Sequence, residues 1–284
     1  MVIGALLNEG TKILLEAGIE NSRLDSEVLL AHILKKDRMF LLIHREEPLP
    51  AEAETKFREL IDRRKNHEPV AYLTGSREFM SLNFQVGEGV LIPRPDTETL
   101  VEFVLEQYEK TMAVRIIDLC TGSGAIAVSL AHYLPNSQVT AVDISEVCVD
   151  TAKRNASLNS VADRVSVQQK NVFEAFDNKK YDCVVSNPPY IPSSVLETLE
   201  KDVREYEPQA ALDGGEDGLI FYRHLAILGS KLLKPEGVLA FEVGHDQSEA
   251  VSALLKETHA FQTVGIRQDL AGIGRVVFGI KKEA

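Results

Sequence analysis

The segment Arg115-Ile116-Ile117-Asp118-Leu119-Cys120-Thr121-Gly122-Ser123-Gly124-Ala125-Ile126-Ala127 decides the fold. Ile116 to Leu119 is a short apolar run holding one carboxylate, which predicts a buried strand, and the run from Ala125 to about Tyr133 predicts a helix. Gly122 and Gly124 between them let the backbone turn tightly and come close to a ligand, while the helix aims its N-terminus at the same place. A strand, a glycine loop and a helix in that order predict a parallel sheet with a nucleotide-type ligand at its carboxyl edge.

Downstream the alternation continues. Strands are predicted at Gln138 to Val142, Val165 to Val167, Tyr181 to Val185, Val238 to Val243, Phe261 to Ile266 and Val276 to Ile280, with helices at about Glu146 to Asn159 and Leu219 to Leu233. Continuous apolar strands separated by helices predict an α/β fold with a doubly wound, seven-stranded sheet covered on both faces. The last two strands are joined by Asp269 to Gly274, too short for a crossover helix, so the last strand is expected to run antiparallel.

Upstream the pattern is helical. Ile3, Leu6, Leu7, Ile13, Leu14 and Ala17 recur at helical spacing and Gly18 suits the position after the helix. Ser22 is a candidate cap for a second helix carrying Leu24, Val28, Leu29, Ala31 and Leu34; Asp37 starts a short third; Pro50 fits the first position of a fourth, with Phe57, Leu60 and Ile61 as its buried stripe. Residues 1–75 therefore read as a small helical bundle that docks a partner. Residues 76–95 read as a linking β-hairpin turning at Gly87-Glu88-Gly89, and 96–284 as the catalytic domain. Pro93-Arg94-Pro95-Asp96-Thr97-Glu98 reads as a helix start, since these residue types suit an N-terminus.

The formal net charge of -12 argues against a broad basic face for duplex nucleic acid. Over residues 1–75 there are 11 Lys and Arg against 13 Asp and Glu, so the acidic excess lies beyond the bundle. Without a signal-like start or a run of about 18 apolar residues, a cytoplasmic protein with no membrane contact is expected. The three cysteines, Cys120, Cys148 and Cys183, are far apart and suit buried thiols, and no histidine pattern suggests a metal.

Three further sites carry chemistry. Asp143, about 20 residues after the glycine loop, sits where a carboxylate accepts from ribose hydroxyls. That pattern fits NAD as well, but Asp118 just before the loop would repel a pyrophosphate and suits the cationic amino acid end of S-adenosylmethionine. Asn171 is placed to meet an adenine edge, with Val172 and Phe173 to wall its ring. Finally, Val184-Val185-Ser186-Asn187-Pro188-Pro189-Tyr190 ends a strand on two prolines, which cannot donate ladder bonds and fix φ. The result is a rigid corner with free acceptors at Asn187 and Pro188 and a ring at Tyr190, beside the ligand of the first two strands.

Asp118 to Gly124, Asp143 and Asn187-Pro188-Pro189-Tyr190 together resemble the class I, Rossmann-like methyltransferases that methylate planar nitrogens. The helical N-terminal part, the Pro93 to Glu98 tract, Val203 to Pro208 and Ala211 to Gly218 narrow the resemblance to the release factor glutamine methyltransferase family (HemK/PrmC). That resemblance implies a protein-(glutamine-N5) methyltransferase that acts on the Gly-Gly-Gln glutamine of peptide chain release factors. Its cofactor would be held by Asp118, Cys120, Thr121, Gly122, Ser123, Gly124, Asp143, Asn171, Val172 and Asn187. Asn187, Pro188, Pro189 and Tyr190 would hold the substrate amide, with Asn187, Pro188 and Tyr190 at the chemistry. In one departure Asn171 stands where many relatives have Asp, which bears on cofactor affinity. A ribosomal-protein glutamine, a nucleic-acid base, an NAD-dependent oxidation or a non-catalytic binding role are the alternatives.

Overall fold

The computed structural model describes residues 1–177 and 180–283. Lys179 and its neighbour Asn178, and Ala284 at the end of the expected catalytic domain, lie outside the described residues. The chain forms two compact units, Met1–Ser76 with Glu200–Tyr206, and Arg77–Leu199 with Glu207–Ala284.

The first unit contains α1 (Ile3–Glu16), α2 (Ser22–Leu34), α3 (Arg38–Ile43), α4 (Ala51–Lys65) and α5 (Val70–Thr74), and takes in the later helix Lys201–Tyr206. Its core is Ile3, Leu6, Leu7, Leu14, Leu29, Leu30, Leu41, Phe57 and Ile61. Asp37 caps α3 by accepting the Phe40 N–H at 2.7 Å. Other caps differ from expectation by one position. Asn21, not Ser22, occupies the N-cap of α2, and Pro50 precedes α4 rather than starting it. Leu24 is exposed and the buried side of α2 carries Asp25 and Glu27 beside Leu29, Leu30 and Ala31. These carboxylates are tolerated because they are paired. Glu27 accepts from Arg23 (2.9 Å) and Arg38 (2.7 Å), and Arg64 of α4 reaches Asp25 (2.8 Å) and Asp202 (2.8 Å). Burial outweighs the pull of Arg64 and raises the Asp25 pKa. The Tyr206 hydroxyl completes the seat of the Lys201–Tyr206 helix by donating to the Asn66 carbonyl at 2.8 Å.

A hairpin, β1 (Ser76–Phe79) and β2 (Leu82–Gln85), turns at Met80-Ser81 and not at Gly87 to Gly89. Both turn residues have positive φ (51° and 57°), as the tight primed turn requires, though neither is glycine. Tertiary bonds hold the strained pair: the Met80 N–H donates to Glu98 at 2.6 Å and the Tyr133 hydroxyl donates to the Met80 carbonyl at 2.7 Å. Val70 to Thr74, the last segment of the expected helical bundle, is helix α5.

The second unit carries α6 (Glu98–Gln107), β3 (Arg115–Leu119), α7 (Ala125–Tyr133), β4 (Gln138–Asp143), α8 (Glu146–Leu158), β5 (Val165–Gln169) and β6 (Tyr181–Ser186). After the Lys201–Tyr206 helix, which is α9, come α10 (Ile220–Leu232), β7 (Leu233–Glu242), α11 (Ser248–Glu257), β8 (Phe261–Gln268) and β9 (Gly274–Lys281). Seven strands form one sheet in the order β5-β4-β3-β6-β7-β9-β8. Only β9 opposes the rest, pairing antiparallel with both β7 and β8. Alternate residues on each strand enter opposite cores, as the period of two demands. Ile116, Val185 and Ala240 pack with α6 and α7, whereas Ile117, Val184 and Leu239 pack with Tyr222 and Leu225 of α10 and Val251 and Leu255 of α11. Among the described residues no helix is long and apolar enough to cross a membrane.

Candidate functional site

The carboxyl ends of β3, β4, β5 and β6 are aligned by register: Leu119 lies opposite Val142 and Ser186, and Asp143 opposite Gln169. The segments that follow these strands must therefore meet, and they line a cavity of ≈ 440 Å³. That size and its mixed apolar and polar wall suit a nucleoside-sized ligand. Cys120, Thr121, Gly122, Ser123, Asp143, Asn171, Val172, Phe173, Asn187 and Pro189 all contribute to its wall.

The glycine loop is stitched to β4. The Thr121 N–H donates to the Val142 carbonyl (3.0 Å), and the Asp143 carboxylate accepts the Gly122 N–H (2.8 Å) and the Ser145 N–H (2.9 Å). Gly122 has φ +56°, and a Cβ there would meet nothing within 4 Å, so space for a ligand lies directly over its backbone. Burial raises the pKa of Asp143, while the N–H bonds of Ser145 and Gly122 oppose the rise. Its carboxylate also lies on the cavity wall.

Two residues expected at the ligand stand behind the wall. Asp118 is fully buried; one carboxyl oxygen accepts from the Thr121 hydroxyl (2.5 Å) and Oδ1 has no partner. Burial pushes its pKa up to about 7, with the charge of Asp143 adding to the rise and the Thr121 bond resisting it. Gly124, at φ +80°, is the N-cap of α7, and a Cβ on it would come 2.9 Å from the Ala152 Cβ. Its missing side chain thus admits α8 against α7 and does not face the cavity. Cys120 is half-buried on the cavity wall rather than enclosed in the core, whereas Cys148 and Cys183 are buried.

Asn171 spends its side-chain oxygen locally, accepting the Phe173 N–H at 3.0 Å. This Asx turn leaves the amide N–H₂ and the oxygen's second lone pair for other partners. Phe173 is exposed and lies against Phe221 and His224, with ring centroids 5.2 and 4.6 Å away. The corner after β6 places Asn187 and Pro189 on the wall, with Pro188 buried and Tyr190 half-buried off it. The Asn187 amide donates to the Thr97 hydroxyl at 3.2 Å. Tyr190 packs into the core of α10 and α11, and burial raises its hydroxyl pKa to about 12. The glycine tract from Asp213 to Gly218 presses on its backbone: a Cβ at Gly214 would sit 2.7 Å from the Tyr190 Cα, and one at Gly218 2.3 Å from its carbonyl. Gln247 donates to that carbonyl at 2.9 Å, so the corner is clamped from two sides.

Residues 5–75 match the family model described as PrmC N-terminal domain, and residues 95–217 match the one described as Methyltransferase small domain. A release factor glutamine methyltransferase of Clostridium botulinum is 42% identical over 279 residues, covering 98% of both chains. One from Moorella thermoacetica is 44% identical over 283 residues, covering 100% of both. This chain belongs to the release factor glutamine methyltransferase family. A methyltransferase of Pyrococcus furiosus, 15% identical with a TM-score of 0.51 over 72% of this chain and 91% of that one, shares the fold. Among the described residues no group of three or more His, Cys, Asp or Glu could hold a metal ion.

In this member of the release factor glutamine methyltransferase family, several wall residues lack a local sequence signal. Thr97 has a residue type suited to capping, yet its side chain makes no cap bond and receives Asn187 instead. Arg94 pairs with the buried Glu207, whose other oxygen accepts the Ile92 N–H at 3.0 Å. The proline-rich tract is thereby fixed beside the cavity, which Pro93, Arg94 and Thr97 help to line.

Proposed function

We propose that this chain transfers a methyl group from S-adenosylmethionine to the side-chain amide nitrogen of the Gly-Gly-Gln glutamine of peptide chain release factors. The observation that carries the reading is that Asn187 shares one cavity with Gly122 and Asp143 while its amide N–H is engaged by Thr97. A carboxamide whose nitrogen is held inward leaves its oxygen as an acceptor for a substrate N–H. Membership of the release factor glutamine methyltransferase family supports the same chemistry.

The donor set fits the cofactor. Asp143 offers a carboxylate on the wall to a ribose diol, Gly122 leaves open space for close backbone approach, and Val172, Phe173 and Asn171 provide two apolar walls and a polar edge for adenine. The orphaned oxygen of Asp118 supplies negative potential behind the loop, matched to a cationic amino acid end. When bound, the cofactor supplies an electrophilic methyl group on a sulfonium.

An amide nitrogen is a weak nucleophile because its lone pair is delocalised, so the chain's task is orientation and accommodation of developing charge. The Asn187 oxygen and the Pro188 carbonyl each accept one amide N–H, and Tyr190 provides a face alongside. Pro189 stiffens the corner that carries them. Residues 1–75 serve to dock another part of the release factor, residues 76–95 to link, and residues 96–284 to catalyse. Such a substrate puts the enzyme's work in the cytoplasm, with no stable nucleic acid or membrane partner.

Incubating the protein with tritiated S-adenosylmethionine and purified release factor tests the proposal. Label on the Gly-Gly-Gln glutamine is the expected result, and a release factor that stays unlabelled there removes it.

A further inference from the structure

Beneath the Asn187 corner lies a cluster of buried polar side chains centred on Glu242. This residue ends β7, is 1% exposed, and its Oε2 has no hydrogen-bond partner. Ser186 pairs with Phe241 across β6 and β7, so Asn187 and Glu242 are the next positions on neighbouring strands. The backbone of Glu242 is pinned, because the Tyr222 hydroxyl donates to its carbonyl at 2.8 Å and Val276 lies opposite on β9.

Charged and titratable groups face this carboxyl from every packed element. Asp96 and Thr97 come from the segment before α6, Asn187 and Tyr190 from the corner, Tyr222 from α10 and Arg275 from β9. Arg275 is itself held by Asp96 (3.0 Å) and Asp269 (3.5 Å), and its Nε is unpartnered. Burial pushes the Glu242 pKa up to about 7, with hydrogen bonding from Thr97, the charge of Arg275 and hydrogen bonding from Asn187 pulling the other way.

A buried carboxyl with an orphaned oxygen is costly. Its chemistry suggests what the cost maintains. A carboxamide can sit in two orientations that differ only in which end is donor and which is acceptor. Thr97 cannot choose between them, because a hydroxyl both donates and accepts. A carboxylate can only accept. Placed beside both groups, it accepts from the Thr97 hydroxyl and from the Asn187 N–H₂, leaves the Thr97 oxygen to receive the other Asn187 N–H, and so fixes the carboxamide in one direction.

We propose that Glu242 is a positioning residue for amide methylation, holding the Asn187 carboxamide with its oxygen towards the cavity. The inference rests on Asn187 gripping the substrate amide. Protonated Glu242 is a donor as well as an acceptor, the direction is lost, and Asn187 turns its N–H₂ towards the N–H₂ of the substrate. With S-adenosylmethionine saturating, so that its binding beside Asp118 does not limit the rate, kcat for methyl transfer therefore has an acid limb near neutral pH that belongs to Glu242.

Two measurements decide it. In methyl transfer to release factor, Glu242→Gln lowers kcat by about 10- to 100-fold, the cost of a misplaced contact. It leaves the KM for S-adenosylmethionine within about twofold and abolishes the acid limb; Thr97→Val falls likewise, and Thr97→Ser restores activity. In the ligand-free protein, the side-chain N–H₂ resonances of Asn187 follow one titration near pH 7 that is absent from Glu242→Gln. A Glu242→Gln enzyme with wild-type kcat and an intact acid limb, or Asn187 resonances that ignore pH in the wild type, overturns the proposal. If Glu242→Gln does not fold, the resonances of wild type and Thr97→Val decide alone. Wild-type protein that leaves release factor unmethylated would instead count against the proposed function, and the resonance measurement would still judge Glu242.

Discussion

Replacing Asp118 with Asn should make the ligand-free protein more stable at high pH while weakening its hold on cofactor. The Asp118 carboxyl is wholly buried with a pKa of about 7 against an ordinary 3.8. A group whose native pKa is raised binds its proton more tightly folded than unfolded. Its presence therefore costs stability as pH rises from the unfolded value through the folded one. The gap between about 7 and 3.8 corresponds to about 4 kcal/mol, at about 1.36 kcal/mol per tenfold in proton affinity. Because the unfolded carboxyl is already ionised by about pH 5, about 3 kcal/mol of that falls between about pH 5 and pH 8. Asn has no such titration, but its buried N–H₂ replaces an orphaned oxygen and costs about 1–3 kcal/mol at every pH. Urea unfolding across this range should thus show the variant level with wild type or below it near pH 5 and more stable by about 1–3 kcal/mol near pH 8. The two curves should diverge by about 3 kcal/mol, with Glu242 cancelling because it is present in both. Curves that stay parallel within about 0.5 kcal/mol would refute a buried, titrating Asp118. Calorimetry should show S-adenosylmethionine bound about tenfold more weakly, or about 1.4 kcal/mol, if the orphaned charge serves the cationic end of the ligand.

Asn187→Ala should abolish methyl transfer while cofactor affinity by calorimetry stays within about tenfold; full activity would remove Asn187 from the chemistry. Gly124→Ala should lower the urea midpoint by an amount worth about 1–3 kcal/mol, because a Cβ there meets Ala152 at 2.9 Å and φ is +80°. Arg64→Met should destabilise by about 3–5 kcal/mol in thermal or urea unfolding, since it strands the buried Asp25 that Arg64 holds at 2.8 Å. The loss should shrink below the Asp25 pKa, where protonation relieves the stranded charge; a loss independent of pH would point to packing instead.

Much of the sheet was legible because its evidence is local. Ile116-Ile117 and Val184-Val185 are apolar on consecutive positions, as strands buried on both faces must be, and Gly122 to Ala125 marks a loop and helix start without reference to anything distant. The hairpin turn was not legible. Glycines at 87 and 89 advertise a turn, whereas Met80 and Ser81 adopt positive φ only because Glu98 and Tyr133, far along the chain, hold them there. Helix α11, with Val251 and Leu255 buried, was not among the expected elements, and the first residues of β7, Leu233 to Gly237, carry a proline and a glycine that hide a strand. In the site the same division holds. Asp143 and Asn187 announce themselves by their place after a strand, while Thr97 looks like a cap and Glu242 looks like the end of an apolar run. The use of Glu242 comes from register between β6 and β7, and that of Thr97 from its bond to Asn187 ninety residues away, neither of which a single segment contains.

The helix Lys201–Tyr206 has a consequence for how such a protein could be recombined. Because that helix belongs to the helical unit, the chain passes between the two units after Ser76, after Leu199 and again after Tyr206. No single cut separates them. A fragment ending at Ser76 lacks the Asp202 partner of Arg64 and the Tyr206 bond to Asn66, while the complementary fragment carries a helix cut off from its seat. Exchange of the bundle between two members of this family at one junction would inherit a mismatched α9, and a second exchange around residues 200–206 is needed to carry the whole unit across.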